Sequence, residues 1–165
     1  MKKFVLLVVI FFLTALSVNG QNLAEIKQKV EEANKLFAKA MIENDYETMH
    51  AMYAENILSL PSYQPMIRGL DAIKEMTEVQ KQSGWSTKNF SLNTTDIIPA
   101  GELIIEIGNY DILMSMPGDT GEWADVGKYV TVWEVQEDGQ LKIRVETWNT
   151  DNNPWEGMEG EHSQE

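Results

Sequence analysis

From residue 22 to 43, apolar side chains recur at three- and four-residue steps: Leu23, Ile26, Val30, Ala33, Phe37 and Met41, with Lys and Glu between them. That is the stripe of an amphipathic helix. Asn44-Asp45 breaks it, and either residue suits the cap of a second, shorter helix carrying Tyr46, Met49, Met52 and Tyr53 to about Ala54. Residues 57–68, with two prolines around Ser62-Tyr63-Gln64, read as a short strand, a turn and a return strand. Gly69 precedes a third helix over about 70–83, lined on one side by Leu70, Ile73, Met76 and Val79. The period then drops from about four to two. Phe90, Leu92 and Thr94 alternate in a strand over about 88–98, Pro99 to Glu102 turn, and 103–116 form a long strand. A loop follows at Pro117–Glu122, and no internal repeat stands out.

The last hairpin, residues 127–151, is the most specific pattern in the chain. Asp138-Gly139 between two alternating runs is a strong two-residue turn signal. Counting from that turn sets Trp133 opposite Arg144, Thr131 opposite Glu146, and Tyr129 opposite Trp148, all on one face. The other face carries Val130, Val132, Ile143, Val145 and Thr147. A solvated face would lack large aromatics, so both faces need cover, and the aromatic face with its set-in charges suits a polar-lined cavity. Helices first and antiparallel strands after predict an α+β fold, with the N-terminal helices in the concave face of a curved antiparallel sheet around a cone-shaped hollow.

The chain's ends lie outside that pattern. Met1-Lys2-Lys3, the apolar run Phe4–Leu16 and the small residues before Gly20 read as a secretory signal peptide over 1–20. The run is shorter than the roughly 20 residues of a membrane span. The folded domain is expected over 21–151, with an acidic, disordered tail at 152–165. Export to the periplasm or the exterior follows. Loss of Lys2 and Lys3 takes the formal charge from −13 to −15. Such acidity excludes nucleic acid and anionic membranes as partners. With no cysteine there is no disulfide, no thiolate nucleophile and no lipid-anchored cysteine. His50 and His162 lie far apart and no metal spacing is present, so neither a metal nor an organic cofactor is expected. Asn89-Phe90-Ser91 and Asn93-Thr94-Thr95 match glycosylation sequons, which matter only in a eukaryotic secretory host.

The order of these landmarks resembles the nuclear transport factor 2-like superfamily, and within it the SnoaL-like, ketosteroid-isomerase-like branch with its exported domains of unknown function. The carrying residues are Asn44-Asp45, Met52-Tyr53-Ala54-Glu55-Asn56, Ile67 to Ile73, Glu106-Ile107-Gly108-Asn109-Tyr110, Gly127-Lys128-Tyr129 and Trp148-Asn149-Thr150-Asp151, spanning about 26–151. The resemblance implies a cone-shaped pocket and, through the outer valine face, a homodimer. It does not carry steroid isomerisation. The isomerases' helix-one Tyr falls on Phe37, their base near Leu60-Pro61 and their sheet Asp on Thr131. The same counting puts Arg144, Glu146 and Trp148 along the cavity.

The expected ligand-contacting set is therefore Tyr53, Tyr63, Glu106, Tyr129, Thr131, Trp133, Arg144, Glu146 and Trp148. Glu106 shares strand parity with Gly108 and Tyr110, which brings it toward Arg144 and Glu146. Two carboxylates beside one cation would leave one of them with a raised pKa, so Glu106 and Glu146 are the candidates for a general acid or base. Trp133 is expected to stack on Arg144. The leading reading is an exported small-molecule-binding domain for a compact, partly aromatic ligand whose polar group meets Arg144, Glu106 and Glu146. An isomerase- or lyase-like enzyme using a Glu as base, and a structural or interaction module, are the alternatives.

Overall fold

The computed structural model describes residues 2–153, with side chains from Asn22 onward except Asp119. The expected signal peptide's side chains, and the tail from residue 154 with Trp155 and His162, lie outside the described residues. The order is α1 (Lys2–Glu43), α2 (Tyr46–Ala51), β1 (Tyr53–Leu60), β2 (Ile67–Arg68), α3 (Leu70–Ser83), β3 (Ser86–Ala100), β4 (Leu103–Ser115), a 3-10 turn (Pro117–Asp119), β5 (Glu122–Val135) and β6 (Leu141–Thr150). The strands form one sheet in the order β2-β1-β6-β5-β4-β3. Every neighbouring pair is antiparallel except β1 and β6, which run parallel. The helices lie against one face of this curved, unclosed sheet, an α+β cone. Among the described residues no helix is long and apolar enough to cross a membrane.

Local chemistry explains the joints. Asn44 ends α1 at φ 55°, a left-handed position that Asn tolerates. Asp45 then caps α2, its Oδ1 accepting from the Thr48 amide at 3.0 Å and its Oδ2 from the Thr48 hydroxyl at 2.6 Å. These bonds hold the Asp45 carboxyl below its ordinary pKa. The second helix stops at Ala51, short of the expected Ala54, because Tyr53 opens β1 opposite Ile143 of β6. In α3, Leu70, Ile73 and Thr77 turn inward and Val79 lies 69% exposed. Nine residues after Leu70, Val79 falls on the far side of a 3.6-residue helix. Thr77 keeps its buried hydroxyl satisfied by donating to the Ile73 carbonyl at 2.9 Å and meeting His50 Nε2 at 3.0 Å. Burial pushes the His50 pKa down.

The hairpin joining β5 and β6 departs from the counted turn. Gln136 and Gln140 close a three-residue loop, Glu137-Asp138-Gly139, with Gly139 at φ 79°, the pattern of a type I turn followed by a left-handed glycine. That shifts the register by one residue, so Trp133 faces Ile143 and Glu134 faces Lys142. A β-bulge beyond Trp133 leaves Arg144 without a partner and restores Val132 opposite Val145, Thr131 opposite Glu146 and Tyr129 opposite Trp148. The core closes on this inner face: Val30, Met52, Tyr53, Ile57, Ile73, Ile104, Trp133 and Ile143 form one buried cluster. Ile143, expected on the outer valine face, is therefore an inner residue. Val130, Val132 and Val145 do lie on the convex side, half-buried.

Candidate functional site

The concave face of the sheet, α1, α2 and α3 enclose a cavity of about 320 Å³. Its walls are mostly rings and thioethers: Phe37, Met41 and Met49 from the helices, Phe90 and Met114 from β3 and β4, and Trp148 from β6. Phe37 packs edge-on against Tyr53 at 6.0 Å and Phe90 at 6.4 Å, fixing the helix-side wall. Strand alternation delivers the sheet-side wall. Tyr129, Thr131 and Trp133 of β5, with Glu146 and Trp148 of β6, point the same way and all line the cavity. A shallower groove of about 460 Å³ runs between α1 and β3, with Lys35, Lys39 and Glu43 on its rim. It shares Asn34, Phe90 and Leu92 with the cavity but holds no group of unusual chemistry.

Two carboxylates build this wall in different ways. Glu106 is wholly buried. Its Oε1 accepts from Asn34 Nδ2, the Thr94 hydroxyl and the Tyr129 hydroxyl, each at 2.6 Å, and its Oε2 from the Trp133 indole at 2.8 Å. It is not a cavity-lining residue; it sits behind the wall and fixes Asn34, Tyr129 and Trp133, which are. Burial, then the adjacent Glu106 charge, push the Tyr129 hydroxyl pKa well up. Glu146 does line the cavity. Ser59 of β1, its neighbour across the parallel ladder, donates to Oε1 at 2.7 Å. The Tyr53 hydroxyl reaches Oε1 and Oε2 at 3.4 and 3.3 Å. Burial raises the Glu146 pKa from 4.5 to about 7, against the opposing effect of those two donors. Burial and the Glu146 charge in turn raise that of Tyr53.

Asp125 is a third acid on this face, buried in the cavity wall. It accepts from the Tyr110 hydroxyl at 2.7 Å, Thr150 at 2.6 Å and Asn152 at 2.8 Å. Burial, then the hydrogen bond to Asp125 and its charge, push the Tyr110 hydroxyl pKa up. Glycines make room for both tyrosine arms. A Cβ on Gly108 would stand 2.6 Å from the Tyr129 ring, and one on Gly127 2.6 Å from the Tyr110 ring. Gly108 pairs with Tyr129 and Gly127 with Tyr110 across the β4–β5 ladder. Each tyrosine thus crosses a glycine of the neighbouring strand to reach the acid two residues before it.

Six of the nine expected site residues, Tyr53, Tyr129, Thr131, Trp133, Glu146 and Trp148, come together around the cavity. Three do not. Tyr63 lies in the β1–β2 turn at φ 61°, 78% exposed, because the turn points its ring away from the sheet. Arg144 sits on the convex side, its Nη1 donating to the Asn56 carbonyl at 2.5 Å and its Nε 3.7 Å from Glu134. The bulge at Arg144 turns the side chain outward, so neither the Trp133 stack nor a shared cation for Glu106 and Glu146 exists. Glu106 stands behind the wall, its two oxygens bonded only by neutral donors.

Pattern counting also missed Asn34, Ser59 and Asp125. Asp125 had a signal: Asp125-Val126-Gly127-Lys128-Tyr129 repeats the acid-x-Gly-x-Tyr order of Glu106-Ile107-Gly108-Asn109-Tyr110. Among the described residues no group of three or more acidic, histidine or cysteine side chains is placed to hold a metal ion. No Lys, Arg or His lines the cavity.

No family model matches this sequence, and a search of curated proteins finds no match. Solved structures do match. A ketosteroid isomerase-like protein from Erwinia carotovora atroseptica aligns at TM-score 0.67 and 9% identity, over 76% of this chain and 96% of that one. A nuclear transport factor 2-like superfamily protein from Salmonella enterica serovar Typhimurium aligns at 0.66 and 11%, over 79% and 94%. A protein from Catenulispora acidiphila in complex with S-DNPA aligns at 0.63 and 15%, over 78% and 96%.

Proposed function

We propose that this chain, which has the nuclear transport factor 2-like fold, is an exported small-molecule-binding domain whose ligand occupies the cavity between the helices and the concave face. The observation that carries the reading is the cavity itself. It holds about 320 Å³ behind a largely apolar wall, with two carboxylates, Asp125 and Glu146, set into it. Few convergent polar groups in an apolar concavity are the usual composition of a ligand site. The ligand-bound Catenulispora neighbour is in keeping with it. The test is occlusion. Met114→Trp fills the cavity from β4 and is expected to abolish uptake of small aromatic probes followed by tryptophan fluorescence and calorimetry. Undiminished uptake in a folded Met114→Trp protein overturns the reading.

A second reading is supported by the state of Glu146. An acid of the cavity wall held near pH 7, with Ser59 on Oε1 and only the 3.3 Å Tyr53 contact on Oε2, is poised for proton transfer. On this reading the protein is a cofactor-independent isomerase- or lyase-like enzyme with Glu146 as its base. Exchange of an acidic C–H of a bound probe with deuterated solvent, lost in Glu146→Gln, would identify it. In either case the apolar convex face, with Val130, Val132 and Val145, suits a second copy of the chain. The signal-peptide pattern of residues 1–20 supports export to the periplasm or the exterior.

A further inference from the structure

The polarity of the cavity wall restricts what can enter it. All three wall tyrosines give their hydroxyl hydrogens to carboxylates: Tyr53 to Glu146, Tyr110 to Asp125 and Tyr129 to Glu106. The Trp133 indole hydrogen goes to Glu106 as well. What these groups still offer the cavity is oxygen lone pairs and ring faces. Glu146 Oε2 is itself underused, with only the 3.3 Å contact from Tyr53, and a carboxylate has about four acceptor sites. Opposite it in the ladder stands Thr131, 9% exposed and lining the cavity. Its hydroxyl has no hydrogen-bond partner among the described residues. Thus a mostly buried threonine, its hydroxyl oxygen still accessible and unpartnered, lines the cavity beside a carboxylate with spare acceptor capacity.

An anion entering this space would meet two carboxylates, Asp125 and Glu146, with neutral donors such as the Gln80 amide but no cation to receive it. A neutral apolar molecule would leave Glu146 Oε2 with only the 3.3 Å Tyr53 contact and the Thr131 hydroxyl with no partner, at the cost of shutting both off from water. A cation fits both requirements. Ammonium groups are attracted to aromatic ring faces within about 6 Å of the centroid, and Phe37, Tyr53, Phe90, Trp133 and Trp148 surround the space. We propose that the cavity receives a compact organic cation, an aryl-alkyl amine, whose ammonium bonds Glu146 Oε2 and Thr131 while its apolar part packs among the rings and methionines. This rests on the reading of the cavity as a ligand site, and it goes further in naming the ligand's charge. The acidity of the whole chain, −13 in formal charge, would favour the approach of such a ligand.

The test compares three probes of one size on the full chain by calorimetry and tryptophan fluorescence: benzylamine, benzyl alcohol and phenylacetate. The expected result is amine affinity at least about tenfold above the alcohol, as for a desolvated charge-assisted bond, with phenylacetate weakest. Glu146→Gln is expected to bring the amine down to the level of the alcohol, and Thr131→Val to cost a smaller factor; circular dichroism at pH 5 checks that both fold. Amine affinity in the parent chain should rise from pH 5.5 to 8 as Glu146 ionises. The groups around Glu146 are Ser59 and Tyr53 from β1 and Thr131 from β5, with Glu106 and Asp125 on the neighbouring strands of the same face. Equal binding of amine and alcohol overturns the cation inference and leaves the ligand site standing. Tighter binding of phenylacetate, or amine preference intact in Glu146→Gln, also overturns the inference. Failure of all three probes to bind overturns it together with the cavity reading.

Discussion

Replacing Glu146 by Gln isolates the energetic consequence of a carboxylate in the cavity wall. The folded chain holds the Glu146 proton up to about pH 7, whereas the free side chain releases it near 4.5. Between those values the native state binds more protons than the unfolded state. Stability contributed by this group is therefore full below about pH 4.5, declines as pH rises, and is lost above about 7. Each pH unit in that window is worth about 1.4 kcal/mol, which sets a ceiling of roughly 3 kcal/mol. Part of the Glu146 side chain faces the open cavity, and water there screens the charge, so about 1–2 kcal/mol is expected. Gln keeps the oxygen that accepts from Ser59 and Tyr53 but cannot ionise. The variant should gain about 1–2 kcal/mol on the parent protein between pH 4.5 and 8. Urea unfolding of both proteins at pH 4.5, 6, 7 and 8 measures this. Ser59→Ala removes a donor that holds the pKa down, so it should extend the upper end of the decline to higher pH. A parent-minus-variant difference that stays flat across the range, or widens in the opposite sense, refutes the argument.

Other consequences can be measured separately. Glu106→Ala would remove at once the acceptor shared by Asn34, Thr94, Tyr129 and Trp133 and should cost on the order of 3 kcal/mol or more in chemical denaturation. Gly108→Ala should cost about 1–3 kcal/mol, since the Asn93 carbonyl and the Tyr129 ring both stand 2.6 Å from the new Cβ. Arg144→Ala should change amine binding less than about twofold and stability by less than about 1 kcal/mol, as for a partly exposed ion pair. The proposed pairing through the valine face predicts a parent chain of dimer mass in analytical ultracentrifugation and a monomeric Val145→Asp; a monomeric parent, or an unchanged mass in the variant, would exclude that face as the interface.

The sequence carried element type and order well because period shifts are strong local signals. The stripe from Ile26 to Met41 and the alternation around Phe90 need no long-range information. The cavity face was legible for a less obvious reason. The hairpin turn was misjudged by one residue and the bulge at Arg144 was unseen, and the two displacements cancel, so Thr131–Glu146 and Tyr129–Trp148 came out in true register. Between turn and bulge nothing cancels, and there Arg144 and Ile143 were assigned to the wrong faces. A bulge leaves no residue signature here, since its position is set by how β6 bends to meet β1. The donors of Glu106 and Glu146 were illegible for a different reason: Asn34 and Ser59 lie 72 and 87 residues from the acids they serve.

The two acid-glycine-tyrosine pentads make the β4–β5 ladder check its own alignment. Their exchange is reciprocal about the Asn109–Lys128 pair, giving the ladder a local twofold symmetry. A slip of two residues one way would set Gly108 against Gly127 and each tyrosine against an acid, with no open seat for either ring. A slip the other way would set Tyr110 against Tyr129. Either error breaks both clasps together, so there is no half-correct pairing in which one survives. Long, flat strands are otherwise prone to such slippage. In this chain the same hydrogen bonds that shape the cavity wall also reject the misaligned sheets.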